Sequence, residues 1–234
     1  GDSIMQSYAP GDKPVTGWGE MLHTLAQGDA VCCAAHRADC PFPQEMRYEL
    51  PGLVIDNCAM AGRSSKTFRE EGRLDDIAAH IRPGDLLVVS FGHNDANRAK
   101  AERYVPADAF GESLRPFWDA ARSHGAVCIF ASPVAMREFD EDSVCHPSFA
   151  AYREAMRAFA AEVGAPFIDL GAATAAANTA FGAERCKARY MWVGAKQDNA
   201  HQQNAGACRT AQAFVQQLLQ DTTPALDVLR ANFK

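Results

Sequence analysis

Ser3 is the first residue of the chain that could do chemistry. It follows Gly-Asp in the opening segment GDSIMQSY and precedes an apolar residue. A serine in this setting is typical of a nucleophile presented where a buried strand ends and a helix begins. A serine hydroxyl attacks a carbonyl carbon only when a base takes its proton and a third group orients that base. Gly-Asp-Ser alone is a weak signal, so the rest of the chain must supply these partners.

Asp198 and His201 are candidates for the acid and the base, and both lie in the segment QDNAHQQNAGA. In a turn before a helix, this spacing lets the carboxylate reach one side of the imidazole and select its tautomer. The other ring nitrogen can then accept the proton of Ser3. Considered alone, an Asp-x-x-His pair is more typical of a helix cap beside a surface histidine.

Gly62 and Asn94 are candidates for stabilising negative charge on a substrate oxygen. Asn94 stands in FGHND, directly after an apolar run, where a side-chain amide is a natural oxyanion donor. Gly62 stands in AGRSS, where its lack of a side chain lets a backbone N–H approach a ligand closely. The alternatives are a turn-forming asparagine and an ordinary turn glycine.

Three residues near these candidates are predicted to contact a substrate: His93, Arg63 and Trp192. His93 adjoins the proposed oxyanion donor, and an arginine can bind a uronate carboxylate with two hydrogen bonds. Trp192 could stack on a sugar ring. The alternatives are packing roles for His93 and Trp192, and a solvated surface cation for Arg63.

The arrangement of apolar runs predicts the elements that position these residues. Strands are expected at 53–59, 85–92, 126–133 and 165–170, and helices at 67–81, 106–125, 146–164 and about 203–220. Strands that alternate with helices predict an α/β fold whose parallel sheet is covered on both faces. Ligands bind at the carboxyl ends of the strands of such a sheet. No linker or repeat indicates a second domain, so we expect a single domain over residues 1–234.

Composition limits the partners and the compartment. The 234 residues carry a net charge of −6, and no run approaches a membrane span, so neither nucleic acid nor a membrane is favoured as a partner. The eight cysteines lack the spacing of a zinc site, and no metal is expected. Reduced thiols and the absence of a visible signal peptide favour a cytoplasmic location. Secretion after removal of an N-terminal segment, and one bridge within the 32–40 loop, stay open.

Taken in chain order, Gly-Asp-Ser, a glycine, Gly-x-Asn-Asp and Asp-x-x-His resemble the SGNH (GDSL) hydrolases. The four residues that name that family correspond to Ser3, Gly62, Asn94 and His201. The resemblance implies a three-layer α/β/α sandwich with a central parallel sheet of about five strands, the first of them expected before Gly1. It also implies an oxyanion hole formed by the Ser3 and Gly62 backbone N–H groups and the Asn94 side chain.

Longer blocks resemble one branch of that family, the rhamnogalacturonan acetylesterases. These blocks are TGWGEML, AMAGRSSKTFREEGRLDDI, RPGDLLVVSFGHNDAN and QDNAHQQNAGA. The resemblance implies a serine esterase that removes acetyl groups from a pectic polysaccharide and needs no cofactor. The alternatives are a lipid or aryl esterase on the same scaffold, and a carbohydrate-binding domain without activity.

Overall fold

A computed structural model describes residues 1–27 and 33–233 of the chain. The strands are β1 (Cys33–Ala35), β2 (Met46–Leu50), β3 (Leu53–Asn57), β4 (Leu86–Val89), β5 (Val127–Ala131), β6 (Phe167–Ile168), β7 (Tyr190–Val193) and β8 (Lys196–Gln202). The helices are α1 (Trp18–Met21), α2 (Ser65–Glu70), α3 (Arg73–His80), α4 (Ala107–Ser123), α5 (Ala150–Val163), α6 (Leu170–Phe181), α7 (Ala183–Cys186), α8 (Asn204–Gln220) and α9 (Asp227–Arg230). None of the helices in these ranges is long and apolar enough to cross a membrane.

The centre of the molecule is a parallel sheet with the strand order β4-β5-β6. Successive side chains of β5 point to opposite faces, as the pleat of a strand requires. Cys128 and Phe130 pack in the cluster formed with α4 and α5, whereas Ile129 and Ala131 pack in the cluster formed with α1 and α8. The predicted three-layer α/β/α arrangement is therefore confirmed.

Most predicted elements have their counterparts at nearly the expected positions, but the helix predicted at 67–81 is two helices. Helix α2 ends at Glu70 and α3 begins at Arg73. Gly72, between them, has φ of +75°, a left-handed conformation that ends a helix and that glycine adopts without strain.

The strand predicted at 53–59 does not belong to the parallel sheet. It is β3, which pairs antiparallel with β2 through a two-residue turn at Pro51 and Gly52, and β2 in turn pairs with β1. Gly52 has φ of +78°, which suits such a turn. The part of the chain before this turn thus supplies two strands, β1 and β2, of an antiparallel meander; residues 28–32 lie outside the described part.

The parallel sheet of the described residues has three strands, so the expected number of about five is not confirmed. A cavity of about 700 Å³ lies between β3 and β4, and Ile55, Val88 and Gly1 are among the residues that line it. The additional strand expected before Gly1 stays a prediction.

The cysteines whose side chains the structure describes are free thiols: Cys40, Cys58, Cys128, Cys145, Cys186 and Cys208. Burial raises the pKa of the Cys58 and Cys128 thiols, which suits small core side chains and not reactive thiolates. Cys32 lies outside the described residues, and Cys40 carries no bridge.

Candidate active site

Ser3 lies in a tight turn at the start of the chain. The Asp2 carbonyl accepts the N–H groups of Met5 and Gln6, at 3.1 Å each, and Asp2 Oδ1 accepts the N–H of Ile4 at 3.0 Å. The Tyr8 hydroxyl donates to the Ser3 carbonyl at 2.8 Å. These bonds hold the turn in place, and the hydroxyl of Ser3, a residue that is 8% exposed, faces His201.

Asp198 and His201 lie on β8 and not in the turn that the sequence predicted. The pairing of β7 with β8 changes register between Tyr190 and Met191, so the residues between Asp198 and Gln202 form a bulge. Side chains three residues apart on a regular strand point to opposite faces. The bulge removes that restriction and lets the carboxylate fold back on the imidazole.

The three side chains form a continuous hydrogen-bonded chain. His201 Nδ1 is 2.8 Å from Asp198 Oδ2, and His201 Nε2 is 3.0 Å from Ser3 Oγ. Asp198 Oδ1 accepts the N–H groups of Ala200 and His201, at 2.9 and 3.0 Å. Burial alone would raise the pKa of Asp198, but these N–H groups and the imidazole outweigh it and lower the pKa, so the carboxylate is charged beside His201.

Gly62 and Asn94 lie on loops that meet beside Ser3. Met60 N–H donates to the Gly1 carbonyl at 2.9 Å, which fastens the Gly62 loop to the start of the chain. Within the described residues, the N–H groups of Ser3 and Gly62 have no hydrogen-bond acceptor. Asn94 Nδ2 donates to the Arg63 carbonyl at 3.0 Å, which leaves the second amide hydrogen available.

Asp95 ties the two loops together. Its Oδ1 accepts the Ser65 N–H at 2.9 Å and the Ser65 hydroxyl at 2.6 Å, and its Oδ2 accepts the Gly92 N–H at 3.1 Å. Complete burial outweighs these bonds and raises the pKa of Asp95 to about 6. Asp95 thus fixes the loops on which Gly62 and Asn94 stand, and it does so from within the core.

His93 is packed between Phe149 and Asp2. Its ring packs edge-on against Phe149, and its Nδ1 faces Asp2 Oδ2 at 3.8 Å. Burial lowers the pKa of His93 despite the nearby Asp2 carboxylate, so the ring is neutral near pH 7. The predicted contact of His93 with substrate stays a prediction, and the ring is 11% exposed.

Arg63 and Trp192 both have partners within the protein. Arg63 Nε donates to both carboxylate oxygens of Glu71, at 2.8 and 3.0 Å, and its Nη1 donates to the Ala61 carbonyl. Trp192 Nε1 donates to Asn199 Oδ1 at 2.8 Å, and the Arg137 guanidinium lies 4.6 Å from the centre of its ring. The geometry gives both side chains a structural task, and their predicted substrate contacts stay predictions.

One group of side chains in the described ranges has the donors and spacing of a metal site. The ligand atoms of Cys40, Glu45 and Asp76 all lie within 4.8 Å of one another. Arg37, however, forms an ion pair with Asp76, and Cys40 Sγ donates to Glu45 at 3.1 Å. These contacts favour an ion-paired cluster, and the absence of a metal stays a prediction.

Two residues that sequence reasoning missed, Tyr8 and Arg103, contact this site, and Lys196 lies beside it. Tyr8 holds the Ser3 carbonyl, Arg103 Nη1 donates to the Gly62 carbonyl at 3.0 Å, and Lys196 Nζ is 3.5 Å from Asp198 Oδ2. No spacing pattern identifies Tyr8 or Arg103, because each acts on a backbone carbonyl.

Comparison with known proteins gives matches along most of the chain. The GDSL-like Lipase/Acylhydrolase family matches residues 1–207. The rhamnogalacturonan acetylesterase RhgT of Bacillus subtilis (strain 168) is 32% identical over 98% of this chain and 91% of its own length. The probable rhamnogalacturonan acetylesterase YesY of the same organism is 34% identical over 88% of this chain and 84% of its own length.

Solved structures with the same fold are also found. The crystal structure of YxiM from Bacillus subtilis superposes with a TM-score of 0.76 at 26% identity, over 96% of this chain and 56% of that one. An acetylxylan esterase from Geobacillus stearothermophilus superposes with a TM-score of 0.51 at 20% identity, over 70% of this chain and 71% of that one, and shows the fold alone.

Proposed function

Because this chain belongs to the GDSL-like lipase/acylhydrolase family, we propose that it is a serine esterase that removes O-acetyl groups from a carbohydrate. The observation that carries the proposal is the position of His201, which bridges Ser3 Oγ and Asp198 Oδ2. An imidazole held between a carboxylate and a serine hydroxyl is the arrangement that acyl transfer requires.

The reaction begins with attack of Ser3 Oγ on the acetyl carbonyl carbon. His201 Nε2 takes the hydroxyl proton, and Asp198 stabilises the imidazolium that forms. The carbonyl oxygen becomes an oxyanion, which accepts hydrogen bonds from the N–H groups of Ser3 and Gly62 and from the Asn94 amide. Because the N–H groups of Ser3 and Gly62 have no acceptor in the described residues, they are available for this task without breaking another bond.

Collapse of the tetrahedral intermediate expels the sugar oxygen, which takes its proton from His201 Nε2. A water molecule then attacks the acetylated Ser3, with His201 as the base, and releases acetate. Each proton that leaves one oxygen passes through His201 to another, so His201 returns to its starting state. No metal or cofactor enters this sequence, and the prediction that none is needed stays a prediction.

The proposed substrate class is an acetylated polysaccharide, most specifically rhamnogalacturonan. Two Bacillus subtilis relatives are named as rhamnogalacturonan acetylesterases, one of them as a probable one, and the match to each covers most of that relative's length. The exposure of the site supports a bulky substrate, because the His201 side chain is 35% exposed.

The test is acetate release from acetylated rhamnogalacturonan, acetylated xylan, and acetyl and octanoyl nitrophenyl esters. We expect the highest kcat/KM on the acetylated pectin, and higher activity on the acetyl than on the octanoyl ester. Preference for octanoyl would instead identify a lipid or aryl esterase. Ser3→Ala should lose at least roughly 10⁴-fold in kcat while its unfolding transition stays unchanged.

A fluorophosphonate probe separates an enzyme from a binding domain. The probe should label the wild-type protein at Ser3 and leave Ser3→Ala unlabelled. A protein that binds acetylated pectin but does not react with the probe would be a non-catalytic carbohydrate-binding domain.

A further inference from the structure

The loop 61–63 has an unusual set of hydrogen bonds outside the catalytic chain described above. Each of its three consecutive carbonyls accepts a side-chain donor. The Ala61 carbonyl accepts Arg63 Nη1 at 2.9 Å, the Gly62 carbonyl accepts Arg103 Nη1 at 3.0 Å, and the Arg63 carbonyl accepts Asn94 Nδ2 at 3.0 Å. Such regular capping of a short loop fixes the direction of every peptide plane in it.

The direction of the Gly62 N–H depends on the first of these bonds. A peptide unit is planar and trans, so the Ala61 carbonyl and the Gly62 N–H point in opposite directions within one plane. When Arg63 holds the Ala61 oxygen, the Gly62 N–H is turned to the other side. Arg63 is itself anchored, because Glu71 accepts its Nε through both carboxylate oxygens.

Arg103 controls the second plane, on the other side of Gly62. Gly62 has φ of +78°, and a glycine can rotate between conformations that other residues cannot reach. The Arg103 guanidinium lies against this residue, since a Cβ at Gly62 would be 3.4 Å from Arg103 Nη1. Arg103 thus restrains the flexible residue that the proposed oxyanion hole depends on.

Arg103 reaches Gly62 from the loop that also carries Asn94. Arg103 N–H donates to the Lys100 carbonyl, and the Val105 N–H returns to the Asp95 carbonyl, each at about 3 Å, so the loop closes on itself beside Asn94. Arg103 Nε is buried without a hydrogen-bond partner among the described residues. An unpaired buried donor costs free energy of folding. The position of Arg103 that allows Nη1 to bind the Gly62 carbonyl therefore carries a cost in stability.

We propose that Arg63 and Arg103 are positioning residues that aim the Gly62 N–H at the substrate oxyanion by holding the carbonyls on both sides of it. The inference rests on the proposed function, in which Gly62 is an oxyanion donor. It gives Arg63 a role in the rate of the chemical step in place of contact with a uronate. Because the donor is misdirected rather than deleted, the loss is below the 10²–10³-fold of a missing donor.

The experiment compares Arg103→Met, Arg103→Lys and Arg63→Met on nitrophenyl acetate and on acetylated rhamnogalacturonan. We expect each Met variant to lose roughly 10–100-fold in kcat on both substrates with KM changed less than about threefold. Arg103→Lys, which keeps a donor, should recover part of the loss. A loss confined to KM on the polysaccharide would overturn the proposal and make the arginine a substrate ligand.

Phenylboronic acid supplies a second readout that a general structural role would not move. Ser3 Oγ donates a lone pair to boron while His201 Nε2 takes the hydroxyl proton, and the resulting tetrahedral adduct places a boron-bound oxygen where the oxyanion forms. Its affinity should fall by the same factor as kcat in the Met variants. Unchanged boronate affinity together with reduced kcat would overturn the inference.

Arg98→Met is the matched control, because Arg98 is exposed on the same loop and lies 6.0 Å from the centre of the Tyr104 ring. It should keep wild-type kcat on nitrophenyl acetate. Unfolding of every variant is followed by circular dichroism, so that loss of fold is recognised. If Asn94→Ala is impaired while both Met variants are not, this inference fails alone; if Asn94→Ala and Ser3→Ala are both fully active, the proposed function fails.

Discussion

The molecule contains two aspartate–histidine pairs built in nearly the same way. Asp198 Oδ1 accepts two backbone N–H groups and its Oδ2 faces His201 at 2.8 Å. Asp140 Oδ1 likewise accepts two backbone N–H groups, and its Oδ2 faces His146 at 2.6 Å. Hydrogen bonds from backbone N–H groups and from the imidazole lower the pKa of both carboxyls. At Asp198 these contacts outweigh burial, which alone would raise the pKa.

The pairs differ in what lies on the far side of the imidazole. His201 Nε2 meets Ser3, whereas His146 is 68% exposed and its hydrogen bonds end at Asp140. An aspartate that caps a turn and contacts a histidine is therefore a local motif, and it forms both at Asp198 and at Asp140. The proposed chemistry depends on the third partner, which only packing of distant segments can bring.

Asp198→Asn and Asp140→Asn form a matched pair of variants and should show the largest difference. Asparagine at 198 keeps the shape but removes the charge and permits the wrong imidazole tautomer. We expect kcat/KM to fall roughly 10³–10⁴-fold. Asp140→Asn should leave kcat/KM within about twofold, and equal losses in the two variants would remove the distinction between the pairs.

Asn94→Ala tests the other side of Ser3, where the oxyanion donors stand. Loss of one donor should reduce kcat roughly 10²–10³-fold with little effect on KM, because the amide acts on charge that develops in the transition state. Steady-state kinetics on nitrophenyl acetate measures both constants. A change in KM alone would make Asn94 a substrate-positioning residue.

The pKa values of Asp95 and Asp198 are shifted in opposite directions. That of Asp95 is raised to about 6, whereas that of Asp198 is lowered. The folded protein therefore holds the Asp95 proton more tightly than the unfolded chain, and its stabilising effect is lost as pH rises from about 4 through 6. Between these limits, the free energy of unfolding of the wild type should fall by about 2–3 kcal/mol relative to Asp95→Asn.

Urea unfolding of both proteins at several pH values measures this difference. A difference that stays constant with pH would mean that Asp95 is ionised throughout the range. Asp95→Asn should also lose activity, since the Asn amide would bring a donor toward the N–H groups of Ser65 or Gly92.

Lys196→Gln should have the smallest effect. Lys196 Nζ lies 3.5 Å from Asp198 Oδ2, but the lysine side chain is 51% exposed, so solvent and salt screen the pair. Removing this cation leaves more of the Asp198 charge for His201. We expect kcat/KM to rise less than about threefold at low salt, and the difference should vanish at about 0.5 M salt.

Much of the fold could be predicted because its signals are local. Helices α4 and α8 carry apolar residues at helical spacing, and β5 is an apolar run between turns, so each was found within a few residues. Strand β3 was assigned to the wrong sheet because an apolar run does not reveal its partner. The alternating segment Met46–Leu50 followed by Pro51 and Gly52 was the signal for a hairpin.

The chain order of Ser3, Gly62, Asn94 and His201, and with it the family, is evident from the amino-acid sequence alone. Tertiary packing determined which aspartate–histidine pair meets a serine, since Ser3 and His201 are 198 positions apart. It also decided that Arg63 and Arg103 hold backbone carbonyls around Gly62. The periodicity and spacing of residues in the sequence indicate hydrogen bonds between near neighbours and which face of a helix or strand is buried. Contacts between distant loops, in contrast, form only when the sheet and its helices pack together.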